Sequence, residues 1–279
     1  MAALYKNWWK VVLIIIVSIL SNIILHGIMS SIETANISLG EPSIFVKNDM
    51  LIPALLVWEV LAFSIFSLVF LLIQDSLPGK KLKKGFLYGL SIGGLYFVGM
   101  FETILLFNNT VITEFLMGLP DLLSFVLAGT LLGLAVGTDR AQESKRQDVL
   151  VVFVIALFYV FGRYFAYTVL DISSTYIIKP WGTFFWTLGL GLWVGTMYLL
   201  IQPKNREKSI AFQGVFFGGF ILGLNWVMNH VFLFTIIKFD SDLLIRVGVD
   251  ILFTIIGLCI YLKWINGSAN IDLQTPPSI

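Results

Sequence analysis

One cysteine, two histidines and a low density of charge set the first limits on this chain. The lone thiol, Cys259, forms no internal disulfide and builds no thiolate metal cluster, which removes stapled scaffolds and zinc sites of that kind. Charged residues make up 13% of the 279 positions, about half the share found in soluble domains. Seventeen acids against 18 Lys and Arg leave a formal net charge of +1, so no long-range field attracts nucleic acid. No nucleophile elbow, P-loop, His-Glu-x-x-His or paired-aspartate prenyl-diphosphate motif occurs. The two histidines lie in different apolar runs at unequal depths, a poor arrangement for two axial ligands of one haem, and neither a cofactor nor a metal is expected.

What is present is apolar. Hydrophobic residues account for 58% of the chain and the mean hydropathy is +0.91. Runs long enough to cross a bilayer recur eight times, at roughly 8–28, 51–74, 85–107, 112–137, 149–170, 178–201, 209–236 and 243–265. The pattern predicts an all-α integral membrane protein, a bundle of eight transmembrane helices whose first run is a retained helix, with lipid as its main partner. The interval 29–50 is the one sizeable connection, so function has to sit within the membrane or at its edges. The polar segment 266–279 reads as a disordered cytoplasmic tail.

Basic residues orient the bundle, because loops rich in Lys and Arg stay in the cytoplasm. Thirteen of them fall on one side: Lys6, Lys10, Lys80, Lys81, Lys83, Lys84, Arg140, Lys145, Arg146, Lys204, Arg206, Lys208 and Lys263. Three, Lys47, Lys179 and Lys238, fall on the other. Both termini are therefore expected in the cytoplasm of a cell (inner or plasma) membrane protein. Trp8, Trp9, Trp264 and Trp181 sit where interfacial belts place tryptophan.

An internal repeat is suggested by matching residues. Gly89, Gly93, Gly94 and Phe107 of helix three overlie Gly214, Gly218, Gly219 and Phe232 of helix seven at an offset of 125 residues. Trp58 and Leu71-Leu-Ile-Gln74 overlie Trp186 and Leu199-Leu-Ile-Gln202 at an offset of 128, and Asp121 matches Asp250. Chance alignment of similar apolar segments is the competing explanation. In a true repeat, units 1–137 and 138–265 are parallel four-helix halves. Glycines four apart, at 85, 89 and 93, at 191 and 195, and at 214 and 218, suit close helix packing, with a hinge at the double glycines as the alternative.

Ionisable residues inside a bilayer are functional candidates by default. At a rise of 1.5 Å per residue, Glu102 lies about 7 Å, Arg163 and Asp250 about 10 Å, and Glu59 and Asp121 about 12–13 Å below the outer edge. Asn225, Asn229 and His230 crowd one level of helix seven, and Asn22 and His26 share a face of helix one. Trp58 and Trp226 stand beside these acids and suit an organic cation. Asp242, Arg246 and Asp250, four apart, would form a self-neutralised stripe, leaving Arg163 to find an acid on another helix.

Together these residues predict an outward-facing polar, acidic cavity for a small polar, cationic or amphipathic ligand. Transport of a small solute, possible proton coupling included, is the leading expectation. A lipid-modifying enzyme using a buried carboxylate and His230, or a membrane sensor or accessory subunit, are the alternatives.

Overall fold

A computed structural model describes residues 2–32, 40–140, 148–201 and 208–272, with side chains from residue 7 to residue 266. Eight helices in it are long and apolar enough to cross a membrane: Asn7–Ile32, Leu51–Ser76, Lys81–Phe107, Val111–Val136, Leu150–Thr168, Pro180–Ile201, Ile210–Ile236 and Ser241–Asn266. They are called the first to eighth spans below. No strand occurs among the described residues, and the nearest thing to one is an isolated bridge between Pro42 and Ile237. Helix is the expected form, since in hydrocarbon each backbone polar group needs a partner within its own segment.

The punctuation between spans is local. The Thr110 side chain accepts from the Thr113 N–H at 3.1 Å and opens the fourth span, and Ser209 does the same for Phe212 at 3.2 Å before the seventh. Asn108, at φ 62°, ends the third span in the left-handed region that asparagine tolerates. The last helix runs from Ser241 to Asp272, so residues 266–272 are helical where composition suggested a disordered tail. Extending an existing helix needs no new nucleus, and no proline interrupts this one before Pro276. Residues 273–279, and Lys145, Arg146, Lys204 and Arg206, lie outside the described residues.

Glycine decides the closest packing. The third and fourth spans make the most extensive contact in the bundle. There, Cβ atoms on Gly85 and Gly129 would each drive into the other residue's carbonyl oxygen, and one on Gly89 would sit 2.5 Å from the Phe125 carbonyl oxygen. The sixth span closes on the fifth in the same way, Gly195 resting on Val152 and Gly191 on Ala156. Beyond these, the first span packs on the fourth, the fifth on the eighth, the second on the seventh and the third on the sixth.

The two double glycines behave differently. Gly93 and Gly94 stay α-helical, against Leu122 and under the Trp193 indole. Gly218 and Gly219 fall in a π-helical stretch, Val215–Gly223, inside the seventh span. Such stretches are rare and usually a single turn, so nine residues of it mark a local departure from regular helix.

At the end of the bundle expected to face outward, a clasp joins the connection after the first span to the end of the seventh. Ser43 N donates to the Ile236 carbonyl at 3.0 Å, Lys238 N to the Glu41 carbonyl at 2.7 Å, and Ser43 Oγ to the Thr235 carbonyl at 2.6 Å. Lys238 also reaches Glu41 through its ammonium at 2.8 Å. Hydrogen bonds from Lys238 and Lys47 hold the exposed Glu41 carboxyl below its ordinary range.

Candidate functional site

The buried charge separates into two groups. The larger joins the third, fifth, seventh and eighth spans around Arg163, whose side chain is fully buried. Its Nε and Nη2 grip Asp250 in a two-pronged pair at 2.6 and 2.7 Å, and its Nη1 donates to Glu102 at 2.9 Å. Bidentate pairing of this kind is the strongest arrangement a guanidinium makes with a carboxylate. Tyr159 and Tyr167 lie one turn to either side, each hydroxyl 3.4 Å from the guanidinium, and the ring of Trp186 lies 5.1 Å away.

Glu102 is shared. Its Oε1 also accepts from Arg246 Nη1 at 2.8 Å, while the other Arg246 prong bonds the Ser173 carbonyl. Trp226 Nε1 donates to Asp250 at 2.9 Å. The stripe Asp242, Arg246, Asp250 therefore does not pair along its own helix. Asp242 caps Ser173 at 2.8 Å, and each of the other two reaches a different helix. Side chains a turn apart on one helix compete with partners inside the bundle, where a charge gains more from an opposite charge than at the rim. Two arginines and two acids leave this group neutral, with every charge shared between at least two helices.

The seventh span contributes less than its density of amides implies. Asn225 turns its amide back to the Ile221 carbonyl at 2.8 Å, satisfying a group in the π-helical stretch, and its own carbonyl accepts from Tyr96 at 3.1 Å. Trp58, read as an aromatic wall for a cation, donates its N–H to the Met228 carbonyl at 2.8 Å and stacks obliquely on Phe232. His230 Nδ1 bonds the Trp226 carbonyl at 3.0 Å, and since a carbonyl only accepts, the proton sits on Nδ1. Asn229, His230, Glu102, Thr103, Trp226 and Arg246 line a small, partly open space of about 30 Å³, room for about one water.

The second group lies between the first, second and fourth spans. Asp121 accepts from Asn22 Nδ2 at 2.8 Å and from His26 Nε2 at 3.3 Å. Pro120 precedes it, so the helix lacks one hydrogen bond at this level. Glu59, 7% exposed, lies within electrostatic range of both Asp121 and His26, and its Oε2 has no hydrogen-bond partner. Among the described residues no group of three or more His, Cys, Asp or Glu is placed to hold a metal ion.

Several participants escaped the sequence reading. Tyr159 and Tyr167 carried a usable signal, being spaced four residues either side of Arg163 on one helix face. Ser173 had none, because a backbone carbonyl is the acceptor. Glu114 is buried at the start of the fourth span and accepts from Asn109 at 2.6 Å. At the opposite end of the bundle Lys84, inside the third span, is also buried, reaching the Thr138 hydroxyl at 3.2 Å, which in turn donates to Asp75 at 2.7 Å. Buried charge is therefore concentrated toward one end without being confined to it.

No protein-family model, curated protein or solved structure matches the chain significantly, so its function is argued from this geometry.

Proposed function

We propose that the protein is a small-solute transporter made of two parallel four-helix repeats, with both termini in the cytoplasm and its polar groups in the outer half of a cell membrane. The observation that carries this reading is a reciprocity of contacts. The second span packs on the seventh through Trp58 Nε1 and the Met228 carbonyl, and the sixth packs on the third through Trp186 Nε1 and the Val98 carbonyl at 3.2 Å. Exchanging the halves turns one pair of spans into the other, with the two carbonyl acceptors five residues apart in the 125-residue register. The same exchange carries the first-on-fourth packing at Asp121 into the fifth-on-eighth packing at Asp250. Halves related by an axis along the membrane normal are an architecture that transporters use.

In this reading the described form is closed. The space between Glu102, Asn229, His230 and Arg246 is the remnant of a solute site, and the π-helical stretch of the seventh span is the element whose rearrangement widens it. Purified protein in liposomes is expected to take up a labelled small organic cation or polar solute, from a panel including tetraethylammonium, choline and putrescine, in a saturable way that responds to an imposed proton gradient. Glu102→Gln and Asp121→Asn, checked for folding, should lower that uptake at least about tenfold, the loss expected when a charge that positions a ligand is removed. Turnover of a labelled lipid without uptake would make the protein an enzyme, and neither activity would leave a sensor or accessory subunit.

Orientation has its own test. A reporter fused after Lys84 or Lys208 should give cytoplasmic signal and one after Asn109 or Ser174 external signal, following the thirteen-to-three distribution of basic residues. The reversed pattern overturns the outer placement of the site.

A further inference from the structure

The two halves differ most at the position where they correspond. In the second half a buried aspartate, Asp250, meets a guanidinium from the fifth span. In the first half the matching aspartate, Asp121, meets only the amide of Asn22 and the imidazole of His26 from the first span. The first half also holds a further acid, Glu59, for which the second half has Thr187, one residue beyond Trp186 as Glu59 is beyond Trp58. Two carboxyl groups thus stand where the other half has one, and among the described residues no arginine or lysine is bonded to them. From the first span the titratable neighbour is His26, from the fourth Asp121, and from the third the Tyr96 phenol, which is within range of Asp121. From the seventh the one ionisable group, His230, is turned to the Trp226 carbonyl and the small, partly open space beside Glu102.

A buried carboxylate oxygen without a donor costs several kcal/mol in a medium of low dielectric, so the first-half group lacks a positive charge. Among the described residues no group of three His, Cys, Asp or Glu converges here, and a proton is the cation that a lone carboxylate oxygen can hold without further ligands. We propose that Glu59 is an exchangeable proton-binding site, completed by Asp121, His26 and Asn22, at the place where the second half carries a permanent positive charge. Protonation adds one proton to the Glu59 carboxylate and release returns it. His26, with 35% of its side chain exposed against 8% for Asp121, is the member through which the proton is exchanged. The Arg163 group is then the locked counterpart, in which a guanidinium occupies permanently the place a proton takes transiently.

The proposal takes from the transport reading only the correspondence of the halves, and its test needs no transport. Dicyclohexylcarbodiimide is an apolar reagent that adds a protonated carboxyl O–H across its C=N bond, and the adduct rearranges to a stable acylurea that peptide mass spectrometry locates. The full-length protein in nanodiscs should be labelled at Glu59. Labelling should fall several-fold between about pH 6 and about pH 9, as proton release removes the reactive form. Glu102 and Asp250, neutralised by arginines, and Glu114, bonded to Asn109, should remain unlabelled over the same range. In Asp121→Asn, Glu59 labelling at about pH 7 should drop several-fold, because the neighbouring negative charge that favours the proton is gone. His26→Ala serves as a second variant, expected to slow labelling exchange without abolishing it. No adduct at Glu59 at any pH, an adduct independent of pH, or one unchanged in Asp121→Asn overturns the proposal. Labelling as expected with no solute uptake would remove the transport reading and leave the proton site standing.

Discussion

Arg163→Leu is expected to lower stability by about 3–5 kcal/mol, the cost measured when one member of a buried ion pair is removed. The guanidinium neutralises Asp250 and half of Glu102 and has no exposed surface through which water can replace it. Its loss strands Asp250, left with the neutral Trp226 N–H and Tyr159 hydroxyl, between the seventh and eighth spans. The damage is therefore expected to exceed that of Arg163→Leu combined with Asp250→Leu, in which the stranded charge is gone as well. Arg163→Lys should fall between wild type and Arg163→Leu, since a single ammonium cannot span three carboxylate oxygens in a fork. Thermal unfolding of the detergent-solubilised variants, followed by tryptophan fluorescence, measures these three and Asp250→Leu alone. If the double variant is as damaged as the sum of the two singles, the pair contributes nothing through its contact.

Gly129→Leu should prevent the third and fourth spans from closing, with a cost at or above the top of the range of about 1–3 kcal/mol for overpacking. At this crossing the obstacle is backbone, the Gly85 carbonyl and the Gly89 Cα, and neither can rotate away as a side chain would. The expected result is a variant that is inserted but fails to run as a single folded species on size exclusion. Gly189→Ala is the matched control. A Cβ there meets nothing within 4 Å, so stability should change by no more than about 0.5 kcal/mol. Equal behaviour of the two variants would show that the crossing is looser than the glycine contacts require.

Both experiments bear on how much of the site was legible beforehand. Depth in the membrane placed Glu59, Glu102, Asp121, Arg163 and Asp250 among the candidates, because a charge in an apolar run stands out against its neighbours. Arg163 was expected to need Glu59, Glu102 or Asp121 from the second, third or fourth span; it takes Glu102, but its two-pronged partner is Asp250 of the eighth span, outside that set. Pairing within the eighth helix looked equally reasonable from spacing, and it does not occur: Arg246 turns to Glu102 and Ser173. Spacing along one helix reports which side chains share a face, and carries no information about what that face meets.

Asn225, Asn229 and His230 show the same limit. Three polar groups at one level of one helix look like a ligand site, yet Asn225 serves its own backbone at the Ile221 carbonyl. That carbonyl lies in Val215–Gly223, wound as a π-helix, a choice of backbone that the local residues do not dictate. The glycines were more informative, since a missing side chain matters mainly where another backbone comes close. Even so, which span comes close was set by the assembled bundle.

By itself the sequence determined the number of spans, their limits to within a few residues, and the set of groups too polar to face lipid, because the cost of exposing a polar atom to hydrocarbon acts on each segment independently of the rest. Only the tertiary structure decided that those groups form one neutral network around Arg163 and a second around Asp121 and Glu59, with His26 and Asn22 where the first has arginines. Pairing depends on distances between helices that lie 87 or 99 residues apart in the chain, and a Coulomb energy that varies with separation and surroundings has no value until the helices are packed.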